Sequence, residues 1–462
     1  MGAIFTRFGD GTATTLSEKE LRADLEAGTT DAGDRGKIPP LTDDDLRHLF
    51  DIFKAPQGFL SVEPGNEVVL TYDAGTLKIR RVGVAVDRIQ ALQIYEKIMG
   101  ADTMELCHVD YSFKPLKPIL TMEQPVLEQA LLATHIPLFY GAMPNLGLYS
   151  QPDGPFPNPA ELMPAGKIKE AQESYEQTVA EAVRDIVFVA GAMHESGADG
   201  INIDTVGAAG DADFLAALLA SEQLKARYPD ICIELGMAGE FVLGMHGGLQ
   251  YDEVRLAGLY PHDQARLAAK AGVTIFGPVV NTNTSRTSPW NVARAVTFIK
   301  AAVAASTMPL HANMGMGVGG VPVADHPPID IVSRASKAVV EICRLDGLEV
   351  GVGDPFAMAL AHGHASGMGG MRAAGDLVAR MQMTRGMKIK EAKEHVAGKL
   401  KIAVSELTDP VVMTEVRRDL QLGAITPFPL EARGIEAKFR IAQALDIDIN
   451  CVQRFKGKTG LI

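Results

Sequence analysis

A TIM (β/α)8 barrel of the α/β class is the fold the sequence predicts, and two patterns predict it. From about residue 103 onward, short apolar strands alternate repeatedly with longer helical stretches, as βα units around a parallel sheet require. Nearly every candidate strand ends in polar residues followed by glycine, as expected where βα loops build one active-site face. That polarity favours a closed barrel over an open doubly wound sheet. With 462 residues and 47% hydrophobic content, the chain can bury a core of that size.

Before the barrel, residues 1–102 read as an N-terminal extension packed on it. Helix starts stand at Thr15–Ala27 and at Leu41–Phe53, the second behind Thr42 and three aspartates. Residues 67–72 followed by 77–80 resemble a hairpin. The barrel core is expected over 103–384. Its candidate strands centre on Glu105–Asp110, Pro137–Tyr140, Gly200–Asp204, Ile231–Glu234, Val273–Phe276, Pro309–Asn313 and Leu348–Val350. Helices are expected at 160–197, 212–227, 262–272, 290–306, 330–343 and 356–381. This set is one strand short of a barrel, so the remaining strand is uncertain or comes from the N-terminal part. Residues 385–462 read as a helical C-terminal tail, with helices at 389–407, 410–422 and 434–445.

A net charge of −13 and a pI near 5.4, without basic clusters among aromatics, exclude a nucleic-acid footprint. No window approaches a membrane span, and the first ten residues lack a signal-peptide core, so a cytoplasmic protein is expected. The four cysteines are scattered without a CxxC pair, which fits reduced thiols.

The strand ends carry the chemistry. In order they present His108, Asp110 and Tyr111, then Asp204 and Asp211, Glu234 and Glu240, Asn281 and Asn283, His311 and Asn313, and Glu349. On a barrel these converge into an acidic, amide-lined pocket, where neighbouring carboxylates raise one another's pKa and attract a cation. Any single Asp or Glu there can equally be a helix cap, and Asp211, directly before a helix, leans that way. His108, His246 and His311 lie in separate βα units without metal-ligand spacing, and His362 and His364 form only a weak HxH match, so no metal is expected. Gly315–Gly320 satisfies GxGxxG, yet Val321-Pro322 and Pro327-Pro328 follow where a pyrophosphate-binding helix would have to open. Glu349 stands apart, because it lies between Leu348 and Val350 in the stretch Leu345–Pro355, which otherwise reads as a buried strand running into a glycine turn, and a carboxylate there serves either a wet face or a site.

Several long segments carry a family resemblance: Gly100–Leu106, Asp110–Pro115, Ile136–Asn145, Pro152–Phe156, Thr205–Asp211, Gly236–Glu240, Leu243–Gly247, Asn281–Ser285, Met314–Gly320 and Met371–Arg380. Through them the chain resembles the corrinoid-dependent methylamine methyltransferases, specifically the dimethylamine branch. The resemblance implies a TIM barrel that passes a methyl group from a methylated amine to the cobalt of a separate corrinoid protein. It implies no permanently bound cofactor, the corrinoid (cobalamin) being presented by that partner, and a homo-oligomer.

Within Asp346–Pro355 the family carries pyrrolysine at the position that is Glu349 here, and Asn313 stands where the family is expected to have Asp. A carboxylate cannot form the amine adduct open to pyrrolysine's imine, but it can hold a methylated ammonium by charge. The expected roles follow. Glu349 is a binding and positioning residue, with Glu234 and Glu240 as proton handlers. The substrate-binding set is His108, Asp110, Tyr111, Asp204, His246, Asn281, Asn283, His311 and Asn313. The alternative is a catalytically inactive barrel that retains corrinoid-protein docking or ligand binding.

Overall fold

The computed structural model describes residues 2–56, 62–63, 65–73, 88–94, 96, 100–110, 116–134, 136–244, 248–281, 284–315, 317–322, 327–350 and 373–419. The chain opens with an antiparallel hairpin, β1 (Ile4–Arg7) and β2 (Ala13–Leu16). Two helices follow, Glu18–Gly36 and Asp43–Lys54. Each begins with a reciprocal capping box, Ser17 with Glu20 and Thr42 with Asp45, which satisfies backbone donors the first turn leaves over.

Eight parallel strands then form a ring: β3 (Val69–Asp73), β4 (Thr103–Asp110), β5 (Leu138–Met143), β6 (Gly200–Val206), β7 (Cys232–Met237), β10 (Ile275–Gly277), β11 (His311–Asn313) and β12 (Gly347–Val350). A small hairpin of β8 (Gln250–Tyr251) and β9 (Val254–Arg255) sits in the loop after β7. Each barrel strand pairs in chain order with the next, and β12 pairs with β3. Between β10 and β11 the ring is joined by a bridge of Phe276 to Leu310, where the Phe276 N–H donates to the Pro309 carbonyl at 3.0 Å.

The strand missing from the sequence reading is therefore β3, so the barrel begins inside the stretch assigned to the extension. Val69–Asp73 is not one arm of a hairpin. It runs parallel to both neighbours and is buried along almost its whole length, which is why Val-Leu-Thr-Tyr reads as a near-continuous apolar run. Residues 77–80, the other proposed arm, lie outside the described residues.

The outer helices Asp211–Arg227, Pro261–Lys270, Ser288–Ala305 and Ile329–Glu341 match expectation to within a few residues, while the helix expected over 160–197 starts eight residues later, at Ile168–Glu195, after a separate helical turn at Pro159–Leu162. One further helix, Leu116–Ala133, contains Pro125 in its interior, and such a proline argues locally against a helix. The apolar core lies between these helices and the outward faces of the strands.

Helix Ala373–Arg385 departs from expectation. Rather than lying on the outer wall, it crosses the N-terminal ends of the strands and closes the barrel floor. Gly375 packs on Asp102 before β4, Arg380 pairs with Asp199 before β6 at 3.2 Å, and Met383 joins Phe139, Cys232 and Ile275 in a small inner cluster. Ile389–Leu400 and Asp409–Asp419 follow as helices, while the expected helix at 434–445 lies outside the described residues.

The N-terminal extension clasps the helix Ser288–Ala305. Thr29 meets Thr297 at 2.9 Å, and Arg294 bonds Asp31 at 2.7 Å. Gly28 sits so close that a Cβ there would lie 2.3 Å from the Trp290 carbonyl oxygen. Gly28→Ala is expected to push the two helices apart and cost about 1–2 kcal/mol, read as a lower denaturant midpoint with an unchanged slope. Among the described residues no helix is long and apolar enough to cross a membrane.

Candidate active site

Side chains on a strand alternate between faces, so each barrel strand sends every second residue toward the axis. Above an apolar bottom layer that includes Phe139, Cys232 and Ile275, many of those residues are polar. They are Thr71 and Asp73 on β3, Thr103 and Glu105 on β4, Asn202 and Asp204 on β6, Glu234 on β7, His311 and Asn313 on β11, and Glu349 on β12, while the residues between them join the apolar core outside. Barrel interiors are ordinarily packed with bulky branched side chains, so a polar interior is an expensive feature that a site can explain.

Room for these side chains comes from glycines on adjacent strands. A Cβ on Gly141 would lie 1.6 Å from Glu105 Oε1, one on Gly236 2.8 Å from Asp204 Oδ1, and one on Gly347 2.4 Å from the His311 ring. On Gly277 it would lie 3.1 Å from Gly236 Cα and 3.3 Å from Glu349 Oε1. Gly277→Ala is therefore expected to displace the Glu349 carboxyl, costing about 1 kcal/mol in stability but roughly tenfold in KM, a split seen by comparing melting with steady-state kinetics.

A cavity lined by Thr71, Asp73, Glu105, Asp204, Asn313, Glu349 and Val350 opens above this layer. Asn202 Nδ2 donates to Glu105 Oε2 at 2.7 Å and so fixes that carboxylate. Asp204 accepts the N–H of Thr205 at 2.7 Å, and Thr205 takes a left-handed φ of 57°, uncommon for a β-branched residue, as the chain turns away from the strand end. Asn313 Oδ1 accepts the N–H of Gly315 at 2.9 Å.

Glu234 on β7 and Glu349 on β12, whose strands are separated by β10 and β11, touch carboxyl to carboxyl. Glu234 is fully buried, and among the described residues no donor reaches either of its oxygens or Glu349 Oε1. Burial pushes the Glu234 carboxyl up to about 7; the charges of Glu105 and Asp204 add to the rise, and contact with Glu349 opposes it. Glu349 is driven well above the ordinary carboxylate range, first by burial, then by Glu234, Asp204 and Asp73. Like charges in contact cannot both ionise freely in a dry site, so the pair holds a proton that isolated carboxylates would lose.

The other expected site residues divide into three groups. Asp204, Asn313 and Glu349 line the cavity, and Glu234 lies behind Glu349. His108 and Asp110 lie in the second half of β4, and Asn281, which is exposed, pairs with Val318 in the loop after β10. Tyr111, His246 and Asn283 lie outside the described residues, as do His362 and His364.

Two expectations need correction. Glu240 does not line the barrel cavity: Arg294 grips both its oxygens, Nη1 to Oε2 at 2.5 Å and Nη2 to Oε1, and the same guanidinium reaches Asp31. It is a buried structural ion pair tying the loop after β7 to the extension. His311 does not line the cavity. It is 1% exposed beneath the carboxylates, bonded to Thr71 and to Gln382 of the floor helix.

Thr71, Asp73, Glu105, Asn202 and Gln382 were not singled out from the sequence. The available signal was the strict alternation of apolar and polar residues in strands such as Gly200–Asp204, which a fully buried parallel strand has no packing reason to show. Among the described residues, no three His, Cys, Asp or Glu side chains are arranged as metal donors.

Comparisons with solved structures return distant likenesses. The apo homocysteine methyltransferase MmuM from Escherichia coli is 14% identical over 64% of this chain and 95% of that one, with a TM-score of 0.34. A chitinase from Chromobacterium violaceum gives 11% identity over 64% and 99%, with a TM-score of 0.37. The carboxyl transferase domain of Rhizobium etli pyruvate carboxylase gives 12% over 93% and 71%, with a TM-score of 0.35. None of these carries weight for function. The family model described as dimethylamine methyltransferase, by contrast, matches residues 3–458, nearly the whole sequence. The chain belongs to the dimethylamine methyltransferase family.

Proposed function

We propose that the protein transfers a methyl group from a methylated amine, quaternary or otherwise N-methylated, to the Co(I) of a separate corrinoid protein, and does so without pyrrolysine. The observation that carries the reading is the carboxylate-lined barrel cavity with Glu349 in its wall, in a chain of the dimethylamine methyltransferase family; we take Glu349 to stand where that family carries pyrrolysine.

Asp73, Glu105 and Asp204, with the negative charge that the Glu234–Glu349 pair presents when it gives up its proton, surround a small space and call for a positive partner. A methylated ammonium answers that demand. At about 4 Å each carboxylate contributes roughly 4 kcal/mol of attraction at an effective dielectric near 20, before the cost of desolvating the cation. The corrinoid protein supplies the Co(I) nucleophile that accepts the methyl group. The chain's own residues bind and orient the donor, and a quaternary ammonium then leaves as a neutral tertiary amine with no proton to move. Glu349 thus acts as a binding residue, not as a covalent one.

The test is a screen of N-, S- and O-methyl compounds with the purified protein and its corrinoid protein in the Co(I) state, followed by the cobalt absorbance. Consumption of at least one N-methyl compound is expected. If none is consumed while the corrinoid protein still binds, the docking-only alternative replaces this reading.

A further inference from the structure

A chain of buried polar contacts runs from the barrel floor to the cavity. Gln382, on the floor helix, is fixed by its Nε2 donating to the Asp346 carbonyl at 3.4 Å, which turns its Oε1 toward His311. His311 Nε2 meets that oxygen at 3.0 Å, so this nitrogen carries the hydrogen. His311 Nδ1 is then an acceptor, 3.3 Å from Thr71 Oγ1 and 3.6 Å from Glu234 Oε1. Glu234 in turn touches Glu349.

We propose that Glu234 and Glu349 share one proton and that His311 and Gln382 are positioning residues which, from the barrel floor, hold it on that pair. A histidine locked with Nδ1 as acceptor offers Glu234 no proton. It can only accept one, so it favours the protonated form of its neighbour. Burial, helped by Lys388, draws the His311 imidazole down to about 4 and keeps it neutral. Among the described residues, the other ionisable groups facing the pair are Asp73 on β3, Glu105 on β4, Asp204 on β6 and Cys232 on β7, and none of these supplies a positive charge.

The catalytic use of this proton rests on the function proposed above; its existence and placement do not. With a neutral tertiary methylamine, the pair's O–H bond breaks, its electrons stay on the carboxylate, and an N–H bond forms. Loss of the methyl group then returns the C–N electron pair to nitrogen, so the amine departs neutral, keeping the transferred proton, and the pair is reprotonated from water.

The test needs no turnover, so its failure is distinct from failure of methyl transfer. Infrared difference spectra at about pH 6 should show a carboxylic-acid C=O band that is lost or shifted in both Glu234→Gln and Glu349→Gln. Absence of that band in the unaltered protein, or its survival unchanged in either variant, would overturn the shared proton. In Gln382→Leu, His311 becomes free to carry its hydrogen on Nδ1 and donate it to Glu234, so the band's titration midpoint should fall by about one pH unit. An unmoved midpoint removes the positioning role. Nitrogen-15 NMR of the unaltered protein provides a check that no variant's folding can confound: His311 should be neutral with its hydrogen on Nε2, and an Nδ1–H tautomer or an imidazolium contradicts the proposal.

Discussion

A Glu349→Gln variant is expected to fold normally yet lose roughly 100-fold in kcat/KM for methyl transfer, equivalent to about 2.7 kcal/mol of transition-state stabilisation. The amide matches the carboxyl in shape, so the β12 register with Thr71 and Asn313 survives. What disappears is negative charge in the cavity wall. The expected loss is smaller than the gross attraction of one carboxylate because Asp73, Glu105 and Asp204 remain, and because the native pair must give up its proton before it can present full charge. That last point sets a pH dependence: cation binding should strengthen as pH rises toward and past 7, where the pair ionises more easily. Kinetics of both proteins across that range with one active donor would check the prediction, and equal kcat/KM would remove Glu349 from the site.

Glu234→Gln is expected to act oppositely on stability and on function. The Glu234 carboxyl titrates near 7 in the folded protein against an ordinary value of 4.5. A raised pKa means the folded state keeps a proton that the unfolded chain releases. Stability from this group is complete below about pH 4.5 and is lost as pH rises through about 7, in total about 3 kcal/mol. Glutamine does not titrate and avoids that loss. The variant should therefore match the native protein near pH 4 and exceed it by about 3 kcal/mol at pH 8 in chemical denaturation, while losing activity. A variant less stable than the native protein at pH 8 would show that Glu234 is instead held as a paired anion. Such opposition is the mark of a residue retained for function at a cost in stability.

Much of this was legible in the sequence for a physical reason. βα alternation and the polar ends of strands are consequences of a parallel barrel, and both are local patterns. Glu349 stood out because a carboxylate between Leu348 and Val350 conflicts with its surroundings. What escaped was decided by tertiary placement. Val69–Asp73 read as a strand, but with no recognised helix after it to complete a βα unit it looked like one arm of a hairpin and not a barrel strand. Leu116–Ala133 hides behind Pro125. Nothing in Ala373–Arg385 says that it closes the floor rather than the wall, so the link from Gln382 through His311 to Glu234 was invisible. Glu240 misled for the reverse reason: it sits at a strand end in sequence, but Arg294, distant along the chain, captures it in space.

The central claim is that this barrel holds a methylated ammonium by the charge of Glu349 and its neighbours. Calorimetric titration with tetramethylammonium, set against the uncharged tert-butanol, tests it directly. The account predicts saturable binding of the cation alone, tighter at about pH 8 than at about pH 6, and at least roughly tenfold weaker in Glu349→Gln. Equal binding of the two probes, or an affinity for the cation that Glu349→Gln leaves unchanged, would contradict it.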